Sequence, residues 1–593
     1  MSEQLWNRVM QQRASGQLPQ AIASVRMHLK FKPRDGHALH LLATLQMEAG
    51  ELEQAVVSAE RALAGMPDNL DFVSTLASAL SRLRRFDQAI PLWERLLAAS
   101  PDHAPTLAAL SAAYAEAGDA ERGVELGRRA VAMAPDSLPF ISNLAIALGA
   151  AGRTEEHESL LRASALHRPH DTYLRSSLLM QMNYRLQDPD EMLEAHRAYG
   201  RLVPAPAPPR IADPDPDRPL RVGIISPDLC RSSVANFLPA SLGRQPGITL
   251  VAFFTGLAHP EDKVAKGLRD MFQEWIDMPR PSAEELDARI RAARIDVLVD
   301  LAGHVGDNLL SKLARKPAPV LVTAIGYPNT TGVPAIDWRV VDSITDPPGA
   351  ERFCTERLLR LNPCFLCYAP REPAPEPQMP PDDAPITFGS FNNHLKMSPQ
   401  TLALWSATLA AVPDSRLLLK SSLVARSTRE QSRNDRLLGQ LADAGIPRDR
   451  VDLMPHAEGT LAHLACYHRL HVALDTTPYN GTTTTCEALW MGVPVITTLG
   501  DRHAARVSAS LVTAIGHPEW VASDAADFAR IAAAVAADRT RIAAWRRTLR
   551  ESMRTSALCD ASAYAQRFME SLRNCWREAC RQATSSEASR GAG

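Results

Sequence analysis

Residues 33–66 read PRDGHALHLLATLQMEAGELEQAVVSAERALAGM, and the pattern of this segment decides how the first third of the chain folds. Pro33, Pro67, Pro101, Pro135 and Pro169 succeed one another at intervals of 34 residues. Gly16, Gly50, Gly118 and Gly152 keep the same period, with Arg84 interrupting the series. Leu42, Leu76, Leu110 and Leu144 also recur, as do Ala21, Ala55 and Ala89, with Gly123 and His157 next in the series. Each class has a physical task. Proline lacks an N–H and clashes with the preceding turn, so it stops a helix. Glycine permits the tight reversal between two helices. A small residue lets the two helices of a pair approach closely.

A 34-residue helix–turn–helix unit with this punctuation resembles the tetratricopeptide repeat. Such units stack into a superhelix whose concave groove suits an extended peptide. The register degrades after Pro135, so the last unit is expected to dock on the region C-terminal to it. Residues 203–218 (VPAPAPPRIADPDPDR) are Pro-rich and break every period, which predicts a stiff connection. Asp213, Asp215 and Asp217 within it read as solvated linker charges rather than a metal-binding DxD.

Beyond the linker, short β-branched runs alternate with helical stretches. Examples are 221–226, 250–254, 296–303 and 320–328, then, after a second Pro-rich break at 371–385, 386–391, 415–420, 471–476 and 494–500. Such alternation predicts two doubly wound parallel sheets in series. Ligands of these folds bind beyond the carboxyl ends of the strands.

Bulk properties exclude several functions. The chain has 593 residues, 45% hydrophobic and 22% charged, with 65 basic against 67 acidic side chains. A net charge of −2 leaves no basic field for nucleic acid or an anionic membrane. The polar start MSEQLWNRVM has no secretory h-region and no apolar run reaches 18 residues. Nine cysteines, an odd number, fit a reducing compartment, so the expected location is the cytoplasm. Only eight of the basic residues are Lys, which draws attention to any Lys inside a motif.

GxGxxG, the Walker loop, GxSxG, HExxH and the EF-hand loop are all absent. Cys364 and Cys367 have no second pair at zinc spacing and read as core thiols. His463, His468 and His471 do not share a helix face, so no metal site is expected there. The informative stretch is LDTTPYNGTTTTCEALWMGVP (474–494): a strand, then Asn480, Gly481, Thr482, Thr483 and Thr484, then a helix carrying Glu487 in its first turn. Backbone N–H groups and hydroxyls at a helix start make an anion site, and a nearby carboxylate suits a ribose diol. In ITFGSFNNHLKMSP (386–399) a strand runs into Asn392 and Asn393, and Lys396 sits at the next helix start, placed to neutralise a phosphate. Together the two stretches suggest a nucleotide diphosphate held without metal.

KPAPVLVTAIGYPNTTGVPAIDWRVVDSITDPP (316–348), FGSFNNHLK (388–396) and LDTTPYNGTTTTCEALWMGVPV (474–495) resemble the signatures of protein O-glycosyltransferases, the O-GlcNAc transferases and SPINDLY proteins. The resemblance implies a tetratricopeptide superhelix leading into an α/β GT-B region of two Rossmann-like lobes. The boundaries are then 1–170 for the repeats, 171–218 for linker helices and the Pro-rich connection, 219–380 and 381–582 for the two lobes with the donor site in the second, and 583–593 for a disordered tail. It also implies inverting, metal-independent transfer to Ser or Thr, with no cofactor beyond the nucleotide-sugar substrate. GlcNAc from UDP-GlcNAc is the first reading and fucose from GDP-fucose the alternative; a repeat scaffold on a degenerate transferase is the third. Carried over by motif, Lys396 contacts the donor diphosphate with Asn393 nearby, the threonines lie on the phosphates, Glu487 on the ribose and His463 on the base. Asp228 matches an acid proposed to move the acceptor proton, and His196 lies near a family histidine. Ser232 stands where the family has His, and Cys466 where animal members have Arg. Protein or peptide acceptors are expected in the repeat groove, with oligomerisation as the competing use of the repeats.

Overall fold

The computed structural model describes residues 1–208, 211–243, 245–256, 262–370, 373–420, 428–455, 457 and 459–591. The chain divides into two compact units, Met1–Arg168 with Arg426–Arg436, and Pro169–Ala425 with Leu437–Gly593.

In the first unit the period seen in the sequence is the period of the helices. One set begins at Leu18, Leu52, Phe86, Ala120 and Thr154, the other at Gly36, Leu70, Ala104 and Leu138. Gly16, Gly50, Gly118 and Gly152 turn the chain at φ between 69° and 99°, and Arg84 takes the same left-handed corner at φ 60°. Ala21, Ala55 and Ala89 are fully buried between paired helices. At the equivalent Gly123 an added Cβ would stand 2.7 Å from the Ser111 carbonyl oxygen, so this crossing admits no side chain. His157 takes the place in the next unit, and burial lowers its pKa to about 4. A repeating contact unites the stack. Arg61, Arg95 and Arg129 donate to the carbonyls of Pro33, Pro67 and Pro101 at 3.0, 2.6 and 3.0 Å.

The second unit opens with helices Thr172–Met182 and Pro189–Gly200, then builds two sheets. The first holds β1 (Leu220–Ser226), β2 (Ile248–Phe254), β3 (Glu274–Asp277), β4 (Val297–Asp300), β5 (Val320–Thr323), β6 (Trp338–Val341) and β7 (Arg357–Arg360) in the order β3-β2-β1-β4-β5-β6-β7. The second holds β8 (Thr387–Ser390), β9 (Arg416–Lys420), β10 (Val451–Met454), β11 (Val472–Leu474), β12 (Val495–Thr498) and β13 (Val521–Ala522) in the order β10-β9-β8-β11-β12-β13. Every pairing is parallel. Strand order reverses beside β1 in the first sheet and beside β8 in the second, so the loops after β1, β4, β8 and β11 open onto crevices able to take a ligand.

The last helix, Ala561–Gly591, returns to the first lobe. Tyr564 donates to the Phe365 carbonyl at 2.6 Å, Trp576 Nε1 to Asp215 at 3.1 Å and Arg573 to Arg218 at 2.9 Å, which pins the Pro-rich connection. This corrects two expectations. The C-terminal segment does not stay with the second lobe, and 583–591 is helical rather than disordered. Once Tyr564, Phe568, Leu572 and Trp576 are buried, helix propagates at little cost through a segment with no Pro and no Gly before Gly591. Residues 592 and 593 lie outside the described residues, as do 209 and 210 of the connection and 371 and 372 of the second break. All nine cysteines are unpaired, with Cys364 and Cys367 in the core. Among the described residues no helix is long and apolar enough to cross a membrane.

Candidate active site

The loop after β11 is braced from below by Asp475. Its buried carboxylate accepts from Gly481 N at 2.8 Å and Thr497 Oγ1 at 2.7 Å, and burial raises its pKa. Gly481 is required there, because a Cβ would meet the Thr485 and Thr484 hydroxyls at 2.5 and 2.7 Å. The helix Thr483–Trp490 begins at once, with Thr482 at its cap making no side-chain capping bond. Thr482, Thr483 and Thr484 are part-exposed at this helix start, whereas Thr485 is buried against Ser508 Oγ at 2.8 Å. The result is a row of hydroxyls and N–H groups suited to an anion.

Lys396 arrives from the loop after β8, across the strand-order reversal. Its Nζ donates to the Asn480 carbonyl at 2.7 Å and lies 4.0 Å from the centre of the Tyr479 ring. Burial drives its pKa down to about 8, with Asp475 pulling in the opposite sense. The cation therefore stands beside the threonine row and remains mostly protonated at pH 7.

A second cation carries no motif signal in the sequence. Lys420 ends β9, is 6% exposed, and its ammonium contacts His463 Nδ1. Burial lowers its pKa, with Cys466 and Glu487 pulling in the opposite sense. His463 Nε2 in turn lies 2.9 Å from Glu487 Oε2, which also accepts from the Tyr467 hydroxyl at 3.4 Å. With an ammonium on Nδ1, the ring carries its proton on Nε2 and donates to the carboxylate. Both contacts fall on Oε2; Glu487 Oε1 has no hydrogen-bond partner among the described residues and is open to a diol.

Other expected residues are placed differently. Asn480 is buried, its side chain spent on Thr476 O at 2.7 Å and Ser508 N at 3.4 Å, so it serves the site through its carbonyl alone. Asn393 is exposed and caps its own short turn at Leu395 N, 3.0 Å away. Its neighbour Asn392 is the one that reaches the threonine row, accepting from Thr484 Oγ1 at 2.8 Å.

In the first lobe Asp228 comes just after β1. Burial and the nearby Asp307 raise its pKa, the direction wanted in a proton acceptor, and its carboxylate has no hydrogen-bond partner among the described residues. Ser232 Oγ donates to the Asp228 backbone carbonyl at 2.9 Å, so it shapes the loop that carries the acid. His196 corrects an expectation. It is fully buried, with Nδ1 on the Met192 carbonyl at 2.6 Å and Nε2 on the Tyr327 hydroxyl at 2.8 Å. Burial drives its pKa down to about 4. A neutral ring with both nitrogens engaged cannot receive a substrate proton; it holds the helix Pro189–Gly200 to the loop after β5.

The chain matches the family model described as Glycosyl transferase family 41 over residues 210–369 and 376–568, and a tetratricopeptide-repeat model over 46–114. It is 36% identical over 415 residues to an Arabidopsis thaliana protein described as probable UDP-N-acetylglucosamine--peptide N-acetylglucosaminyltransferase SPINDLY, covering 68% of this chain and 45% of that one. To the Arabidopsis protein of the same description called SEC it is 26% identical over 378 residues, covering 61% and 37%. The chain thus spans less than half the length of these relatives. A solved mutant O-GlcNAc transferase from Thermobaculum terrenum superposes with a TM-score of 0.79 at 31% identity, covering 87% of this chain and 98% of that one.

Proposed function

Because the chain belongs to glycosyl transferase family 41, we propose that it is an inverting, metal-independent protein O-glycosyltransferase acting on Ser and Thr hydroxyls, with UDP-GlcNAc as the first donor. The observation that carries this reading is the arrangement at the second lobe's crevice: Lys396, the threonine row and the open oxygen of Glu487 around one helix start.

In this reading the donor diphosphate lies on Thr482, Thr483 and Thr484, and its terminal oxygens take the Lys396 ammonium. A diphosphate beside Lys396 reverses the effect of burial and holds the cation fully charged as the glycosidic oxygen departs. Glu487 Oε1 accepts from the ribose, while the Lys420–His463–Glu487 chain fixes the imidazole whose face receives the base. The acceptor hydroxyl attacks the anomeric carbon from the side opposite the diphosphate, and its proton passes to Asp228. Positioning and charge stabilisation supply most of the rate, since the nucleophile is weak at neutral pH.

A second reading, fucose transfer from GDP-fucose, is favoured by the motifs IGYPNTTG and FGSFNN, which are closer to SPINDLY proteins. The third, a repeat scaffold without turnover, is disfavoured by the intact charge arrangement. Purified protein incubated in EDTA with radiolabelled UDP-GlcNAc or GDP-fucose and a protein acceptor separates all three. Incorporation from one donor identifies it. Incorporation from neither, with or without added Mg²⁺ or Mn²⁺, overturns the enzyme assignment, and activity that appears only on adding Mg²⁺ or Mn²⁺ overturns metal independence.

A further inference from the structure

A cavity of about 410 Å³ lies in the second unit between helix Pro189–Gly200, the loop after β6 and the loop after β12. It shares no lining residue with the donor site. Its lining includes the apolar side chains Met192, Leu193, Pro347 and Phe353. It also carries four guanidinium groups, Arg339, Arg352, Arg502 and Arg506, against two carboxylates, Asp346 and Asp501.

The carboxylates do not balance these cations. Asp346 accepts from Arg339 Nη1 at 3.2 Å and lies 2.5 Å from His503 Nδ1, so both its oxygens are engaged. Asp501 takes Arg502 Nε at 2.9 Å. Arg506 reaches only carbonyls, Ile344 at 2.7 Å and Gly500 at 3.3 Å, and Arg352 lies over the Phe353 ring at 4.3 Å; neither is ion-paired among the described residues. In the wall, Arg339 Nη2 and Arg502 Nη1 are buried with no hydrogen-bond partner. The Arg339 and Arg502 side chains are 3% and 10% exposed. Unmatched guanidinium donors in a buried wall are costly, and their planar fork matches a carboxylate or phosphate. The volume is that of a small-ligand site.

We propose that this cavity binds an oxyanion, a carboxylate or phosphate carried on an apolar body, through Arg352, Arg502 and Arg506. The anion is either a free small molecule or an acidic or phosphorylated side chain of the acceptor; only the latter source rests on the transferase reading.

The direct test is calorimetry on the full-length protein with inorganic phosphate and phenyl phosphate, which requires no turnover. Both probes bind, phenyl phosphate about tenfold tighter because its ring covers apolar lining side chains. Arg352→Glu, a change at an exposed position, weakens phenyl phosphate by about tenfold or more and leaves UDP and GDP affinities within about threefold. Peptide kinetics then assign the source. If the anion is carried by acceptors, Arg352→Glu raises KM for a Glu- or phosphoserine-bearing peptide with kcat retained, and a neutral peptide is unaffected. If it is free, phenyl phosphate alters turnover of both peptides in the wild type and of neither in the variant. Absence of saturable binding, binding unchanged in Arg352→Glu, or displacement of the probes by UDP overturns the proposal.

Discussion

Replacing Lys396 by Met should abolish transfer and, at neutral pH, make the protein more stable. The fall from an ordinary 10.5 to about 8 means that the folded environment disfavours the ammonium by about 3 kcal/mol. Linkage sets the sign. A lysine whose folded pKa is depressed costs stability wherever it is charged in both states, here at pH below about 8. That cost fades as pH rises from about 8 to 10.5, where the unfolded chain also loses the proton. Methionine keeps the length without the charge. It forfeits the hydrogen bond to Asn480 O and the contact with Tyr479, together about 1–2 kcal/mol. The net gain at pH 7 is about 1–2 kcal/mol, a rise in melting temperature of roughly 1–2 °C for a unit of this size.

The advantage should shrink and then reverse between pH 8 and 10.5, because only the lost contacts remain. Scanning calorimetry of both proteins across pH 7 to 10.5 measures it. Transfer measured in parallel at pH 7 should fall by about a hundredfold or more. UDP should raise the melting temperature of the wild type far more than that of the variant. A variant less stable than wild type at pH 7, or a difference independent of pH, refutes the electrostatic argument; full activity in the variant refutes the phosphate assignment.

Glu487→Gln keeps the shape but loses the carboxylate that receives His463 and that we propose receives the ribose; the donor KM should rise by about tenfold with kcat less affected, read from initial rates. Gly123→Val drives a Cβ to 2.7 Å from the Ser111 carbonyl, and thermal unfolding of the repeat unit should show a loss of about 2 kcal/mol or more while donor hydrolysis persists. Deleting residues 1–134 should spare donor hydrolysis and short-peptide transfer but sharply lower transfer to protein acceptors, since groove contacts would add affinity only for long acceptors. Equal protein-acceptor efficiency in the truncated and full-length enzymes would assign the repeats to oligomerisation instead.

The repeat unit was legible because its period is written in single residues with strong backbone effects, Pro and Gly above all. The Arg–Pro clamp of Arg61, Arg95 and Arg129 has the same period, yet arginine is too common here for the recurrence to stand out before the contacts are seen. Strands rich in β-branched residues, such as β1, β2, β4 and β5, were visible. β3, β6, β7, β10 and β13 were not, since the first four are four residues long and carry charged side chains and β13 is only two residues long. The site divides in the same way. Gly481, the threonine row, Lys396 and Glu487 are adjacent to recognisable strand-to-helix turns. Lys420 and Tyr467 reach the site only through tertiary pairing, and the sealed environment of His196 depends on Tyr327, 131 residues away.

The choice of lysine at positions 396 and 420 reflects the needs of the crevice. Of 65 basic residues only eight are Lys, yet two of those eight line the proposed donor crevice, Lys396 on the Asn480 carbonyl and Lys420 on His463. A guanidinium keeps its charge whatever surrounds it and asks for several acceptors at once, as the buried Arg546 shows by using the carbonyls of Tyr467, Met491 and Leu470. Lys396 has one carbonyl and one ring face, a setting that satisfies a compact ammonium but would strand most of a guanidinium. That same poor solvation leaves its pKa free to move when a diphosphate arrives and again when it leaves. At Lys420 the single point charge sits on one imidazole nitrogen and thereby sets which nitrogen faces Glu487. Arginine at either position would hold the charge but lose the adjustment, so Lys396→Arg should bind the donor better than Lys396→Met yet fail to restore kcat. An arginine variant with wild-type turnover would show that charge alone is sufficient there.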